Sequence, residues 1–229
     1  GLPPAASKGL ETLRDYGAVA EGFDEGNKDH DVSQNLNALL APLLAEDEGR
    51  LLDILDVGCA GGRDILALAR RGHRAVGLDG APEFLALARE KAARLAASEP
   101  ACPAIELLQQ DLCDPALELP PARFDGVFAN AVLFHVPSEA LGTVLAQLHS
   151  TLRPGGVLFC SNAHGFGEDK EGWTQGRTPG TRSWVCWLSE ATWRQRCEAA
   201  GFVLLDSFYR PPGRPRQQQP FLATVWRRR

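Results

Sequence analysis

From residue 51 onward the chain alternates short aliphatic runs with longer amphipathic ones. The runs 51–57, 75–78, 105–109, 126–130, 157–161, 203–209 and 222–226 read as strands. Between them, 64–71, 82–97, 138–152 and 189–200 carry apolar residues at helical spacing, with proline near an N-terminal turn and glycine after the C-terminal one. This β-α alternation predicts a mostly parallel, doubly wound α/β sheet with helices on both faces, and the last two strands, with no clear helix between them, predict an antiparallel edge pair. Ahead of this core, 10–24 and 32–46 read as helices that cover it. The segment Asn27–Asn35, "NKDHDVSQN", holds one aliphatic residue and separates the two.

In such a sheet the ligand sits beyond the carboxyl ends of the strands. The first strand ends in "DILDVGCAGGRD", where Gly58, Gly61 and Gly62 allow a sharp turn and close backbone approach before a helix N-terminus. A dinucleotide fingerprint would need glycines at 58, 60 and 63, and Ala60 and Arg63 stand in two of those places. The second strand ends at Asp79, placed to accept both hydroxyls of a ribose. The third is followed by Asp111 and Leu112, and the fourth ends at Asn130.

Length and composition narrow the class. A chain of 229 residues, 44% hydrophobic, can bury a substantial core as one domain. No apolar run reaches the length of a membrane span and no signal peptide is evident, so a cytoplasmic protein without a membrane partner is expected. Net charge of −5 disfavours nonspecific nucleic-acid binding. Six dispersed cysteines without a CxxC pair argue for reduced thiols, with neither disulfide nor metal. The absence of methionine, position 1 included, points to an excised piece of a longer polypeptide.

The acidic strand ends and the glycine turn, in this order, resemble the class I S-adenosylmethionine-dependent methyltransferases. That resemblance implies a Rossmann-like core over 49–229 covered by lid helices over 1–48, and S-adenosylmethionine as cofactor, with its methionine part on Gly58 to Gly62, its ribose on Asp79 and its adenine framed by Asp111 and Leu112. Asp56, Cys59, Ala60, Asp64, Gly80 and Asn130 complete the expected cofactor site; Asp64 also reads as ordinary compensation of a helix dipole.

Three further stretches are more specific: "NKDHDVSQN", "FDGVFANAVLFHVP", and "YRPPGRPRQQQPFLATVW" with the upstream "SNAHG" and "EGW". They are similar to the C-terminal methyltransferase domain of the ovothiol-biosynthesis sulfoxide synthases, and the similarity runs over almost the whole chain. It implies methylation of the imidazole π-nitrogen of thiohistidine, and a possible covalent fusion to a sulfoxide synthase domain. The acceptor is then a small zwitterionic amino acid, which needs charge partners once water is excluded. Lys28, Asp29 and His30 are expected to supply them as part of a lid, while Asp31 also reads as a helix cap.

Asn130, His135 and Asn162 are the candidates for orienting the acceptor nitrogen, although His135 reads equally as a satisfied histidine opening a helix. Tyr16, Phe134, Tyr209, Arg182 and Arg210 are expected around the acceptor. The insertion 164–184, which holds Trp173, Arg177 and Arg182, is expected as a substrate loop. The rival readings are a methyltransferase for another amine or thiol, a silent cofactor-binding scaffold, and an RNA methyltransferase, which the acidic charge disfavours.

Overall fold

The computed structural model describes residues 2–176 and 181–229. Arg177 lies outside the described residues. Three helices open the chain: α1 (Pro4–Gly17), α2 (Ala20–Asn27) and α3 (Ser33–Leu44). The alternation then runs β1 (Asp53–Val57), α4 (Arg63–Arg70), β2 (Arg74–Asp79), α5 (Pro82–Ser98), β3 (Glu106–Gln109), β4 (Phe124–Asn130), α6 (Ser138–Thr151) and β5 (Leu152–Ala163). A hairpin of β6 (Lys170–Gln175) and β7 (Arg182–Trp187) follows, then α7 (Glu190–Ala199), β8 (Phe202–Arg210) and β9 (Phe221–Arg228).

Seven strands form one sheet in the order β3-β2-β1-β4-β5-β9-β8. Those from β3 to β5 are parallel, and β9 pairs antiparallel with both β5 and β8, giving the expected antiparallel edge. Chain order reverses between β1 and β4, so the cleft opens beyond the carboxyl ends of these two strands. At their opposite ends, buried Asp125 accepts from Arg50 (2.5 Å), Arg153 (2.7 Å) and the backbone N–H of Asp53 (2.9 Å), which fixes β1, β4 and β5 in mutual register.

Strand alternation divides the core into two faces. Leu55, Val57, Val127, Ala129, Leu158 and Cys160 pack against α6 and α7 through residues such as Leu145, Trp193 and Cys197. On the other face Ile54, Phe128, Val157, Phe159 and Val225 meet Leu36, Leu39 and Leu40 of α3, with Ile65 and Leu68 of α4. Expected among the lid helices, α3 is therefore part of the core, while α1 lies over the strand ends.

Within the insertion after β5, residues 170–175 and 182–187 pair as antiparallel strands. Its first strand is exposed along most of its length, so it has no apolar alternation for a sequence pattern to register. Because α3 packs as core, Leu39→Ala should cost about 2–5 kcal/mol of stability in denaturant unfolding. A loss within the noise of the titration would make α3 a detachable lid element instead.

Candidate active site

Beyond β1 the chain turns through Gly58, in a left-handed conformation (φ 69°), and Gly62 (φ 89°) before entering α4. No side chain fits at Gly58, because a Cβ there would stand 2.5 Å from the Val132 side chain. Ala60 also takes a positive φ (44°), a conformation that costs an L-residue about 1–2 kcal/mol. Asp79 holds it there. Its Oδ2 accepts from the N–H of Ala60 and its Oδ1 from the N–H of Ala81, both at 2.9 Å. Burial raises the Asp79 pKa, while these backbone donors lower it. The carboxylate is thus fixed in place before any ligand arrives.

Asp111 closes a similar turn by accepting from the N–H of Cys113 (2.8 Å), with Leu112 half-buried beside it. A cavity of about 80 Å³ runs between these strand ends, lined by Gly58, Asp79, Gly80, Asp111, Leu112 and His135. Helix α1 roofs it: Thr12 and Leu13 line the same cavity, and Gly9 lies so close to Cys113 that a Cβ there would be 2.7 Å from the cysteine Cβ. Helix α2 presses the Asp24 carboxylate onto Gly61 of the turn, with Lys91 bound to both Asp24 oxygens at 2.6 Å. Asp56, at the end of β1, is buried with its Oδ2 unpartnered; burial and the nearby Asp64 charge raise its pKa well above the usual carboxylate range. Cys59 is buried against Gly77, and burial pushes its thiol pKa up.

His135 joins the roof to the wall. Its Nδ1 lies 2.8 Å from the Trp184 carbonyl, so that nitrogen carries the proton, and Nε2 accepts from the Tyr16 hydroxyl at 3.1 Å. Both ring nitrogens are occupied, and burial pushes the pKa down to about 4. The N–H of Trp184 donates in turn to Thr12 Oγ1 of α1 (3.0 Å).

On the α3 side of the sheet a chain of polar groups crosses the strand ends. Asn35 donates to Asn130 Oδ1 (3.0 Å), and Asn130 donates to Asp64 Oδ2 (3.3 Å). Arg63 grips Asp64 through Nε and Nη2 (2.6 and 2.9 Å). The Oδ1 of Asn35 is buried without a partner. Arg210, at the end of β8, lies on this same face.

Other expected site residues fall elsewhere. Lys28, Asp29 and His30 are exposed in the α2–α3 connection, where Lys28 pairs with Glu25. Water already solvates these charges, so they are not the buried partners the lid reading required. Asp31 accepts from the N–H of Ser33 (2.9 Å), a turn ahead of α3. Arg182 pairs with Glu11 (2.6 Å) and stacks over Trp173, fastening the hairpin to α1 on the outside of the molecule.

Asn162 points to the sheet face opposite Asn130, because Asn130 pairs with Ser161 and the next residue along a strand faces the other way. It lines a small cavity with Phe134, His164, Trp193 and Leu222, and both of its amide atoms are unpartnered. Tyr209 lies on that face too, its hydroxyl donating to Glu190 (2.5 Å). Phe134 lies between the His135 ring (4.2 Å) and Phe221 (6.1 Å). Asn35, Arg63 and Asp24 escaped the sequence reading. The one signal for Asn35 was an asparagine in the apolar stripe of α3, next to Leu36.

A neutral buried histidine makes stability depend on pH. The folded pKa near 4 lies below the unfolded value of about 6.5, so the contribution is complete above pH ~6.5 and is lost as pH falls toward ~4. Between pH 7 and pH 5 the parent should lose about 1–2 kcal/mol more than His135→Gln, measured by denaturant unfolding at the two pH values. Equal losses would mean that the ring is solvated.

With this geometry in hand, residues 54–156 match the methyltransferase domain family. The chain is similar to the ubiquinone biosynthesis O-methyltransferase of Xanthomonas campestris pv. campestris (strain B100), 37% identical over 108 residues, which are 47% of this chain and 41% of the relative. The enzyme of the same name from Cronobacter sakazakii (strain ATCC BAA-894) is 30% identical over 161 residues, 69% of this chain and 63% of its own length. The chain thus spans about two fifths of the first relative and less than two thirds of the second.

Among solved structures, the 1,6-didemethyltoxoflavin-N1-methyltransferase of Burkholderia thailandensis, with bound 1,6-didemethyltoxoflavin and S-adenosylhomocysteine, superposes with a TM-score of 0.71 at 24% identity. The match covers 100% of this chain and 92% of that one. The DhpI complex described as DhpI-SAM-HEP gives a TM-score of 0.68 at 20% identity, covering 99% and 100% of the two chains. Residues 54–156 thus resemble the methyltransferase domain family in sequence, and the chain shares the Rossmann-like fold of these solved structures.

Proposed function

We propose that the chain, acting as one unit over residues 1–229, is an S-adenosylmethionine-dependent N-methyltransferase for the imidazole π-nitrogen of thiohistidine. The observation that carries the methyl-transfer part is the preformed cleft. Asp79 is fixed by two backbone donors, Asp56 holds an orphaned buried oxygen, and Gly58 and Gly61 leave no room for a side chain. These features fit the cofactor: Asp79 for the ribose hydroxyls, Asp111 and Leu112 for the adenine, and Asp56 with the loop Gly58–Gly62 for the zwitterionic methionine part. When bound, S-adenosylmethionine supplies a methyl group on a sulfonium that leaves as a neutral thioether.

The chain's own residues then have to hold the acceptor and exclude water. The α1 roof and Val132 cover the cleft. The unpartnered Oδ1 of Asn35 is suited to accept from the N–H of the acceptor ring, leaving the other nitrogen with a free lone pair. Both nitrogens of His135 are occupied, so it supports the tyrosine-capped roof and is a poor general base. That favours a neutral imidazole nitrogen, which needs no deprotonation, over a phenol. The thiohistidine assignment and the fusion to a sulfoxide synthase rest on the resemblance carried by the three sequence stretches.

Incubating the chain with S-adenosylmethionine and thiohistidine, histidine, a catechol or a simple thiol should yield methylated thiohistidine alone by mass spectrometry. Methylation of the catechol, an oxygen acceptor as the O-methyltransferase name of the relatives describes for them, would overturn the imidazole assignment. Asp79→Ala should weaken S-adenosylhomocysteine binding by about 1–3 kcal/mol in calorimetric titration, and unchanged affinity would remove Asp79 from the cofactor site.

A further inference from the structure

Arg210 ends β8 directly opposite Phe221 of β9. Its Nε is buried without a hydrogen-bond partner, and among the described residues its side chain enters no ion pair. The side chain as a whole is half-buried, but its Nε has lost water without gaining a protein acceptor, a cost that an acceptor on a ligand would offset.

Its neighbours narrow the ligand. Burial lowers the Arg210 pKa, the Asp31 carboxylate raises it, and the Arg63 charge lowers it further, so the three groups lie within electrostatic reach of one another. Arg63 is already engaged with both Asp64 oxygens and with the carbonyl of Asn27. Asp31 is exposed and already accepts from Ser33. Arg210 is thus a cation with a buried, unfilled donor on the face that carries Asn35 and Asn130. Beside it, Phe221 meets Phe134 edge to face at 6.1 Å, an aromatic wall of the kind that borders a flat ring.

We propose that Arg210 is the anion receptor of the acceptor site, its planar fork taking a carboxylate on the molecule to be methylated. The inference rests on the reading of this face as the acceptor side and names the acceptor class as a carboxylic acid, whichever atom receives the methyl group. It gives the chain a means of discriminating an amino acid from the corresponding amine.

The test uses three acceptor pairs that differ by a carboxylate: thiohistidine and thiohistamine, 4-hydroxybenzoate and phenol, 3-mercaptopropionate and ethanethiol. For each pair kcat/KM is measured on the whole chain, and the three carboxylates are titrated onto protein saturated with S-adenosylhomocysteine. The parent should prefer the carboxylate of whichever pair it methylates by about tenfold or more. Arg210→Gln should abolish that preference, mainly through KM, with S-adenosylhomocysteine affinity and melting temperature close to the parent's; Arg210→Lys, which keeps the charge and loses the fork, should retain part of it.

A preference that survives in Arg210→Gln overturns the proposal. So does a parent with no preference, or one that binds none of the three carboxylates. If Arg210 serves only to balance Asp31, Arg210→Gln melts earlier and discriminates as the parent does, which also overturns it. Methylation confined to the phenol or thiol pair, with the carboxylate preference intact, would defeat the imidazole assignment while leaving the role of Arg210 standing.

Discussion

The imidazole of His135 is the point on which the covered cleft depends. One ring nitrogen donates to the Trp184 carbonyl and the other accepts from Tyr16, so a single neutral side chain joins the turn after β4, the β6–β7 hairpin and helix α1. The arrangement works only while the ring is uncharged. A protonated imidazolium would have no lone pair for the tyrosine and would sit in a desolvated site with no carboxylate against it among the described residues. Burial supplies that condition by holding the pKa near 4.

The hairpin follows from the same requirement. The edge of β7 presents N–H groups that α1 receives with side chains, Thr12 for Trp184 and Asp15 for Arg182, which stops an exposed strand edge from pairing elsewhere. With α1 held in this way, Gly9 and Gly80 can meet their neighbours without side chains between them, and the helix settles onto the strand ends. The sheet is anchored at its other end by Asp125, so the carboxyl ends keep a fixed geometry beneath the roof.

Face alternation within the sheet separates residues that lie close in the sequence pattern. Asn130 and Asn162 both end central strands, yet one joins the Asn35–Asp64 chain and the other faces Trp193 and Leu222 across the sheet. Tyr209 and Arg210, adjacent in sequence, part in the same way. The charges of residues 28–30 stay in water, while Asp31, next in line, comes within electrostatic reach of Arg210.

Local sequence by itself determined the strand–helix alternation, the antiparallel edge pair and the positions of Asp79 and Asp111 at strand ends, because hydrophobic period and turn chemistry act over a few residues. The glycine loop was equally legible, since only backbone with little or no side chain turns so tightly there. Tertiary structure decided the rest. It made α3 core rather than lid, through leucines whose partners lie far along the chain, and it turned a polar insertion into a hairpin whose support comes from α1. It also brought Asn35, Arg63 and Arg210 to one face from three distant elements. Contacts of that kind depend on strand register and on which face each residue presents, and both are fixed only when the whole sheet assembles.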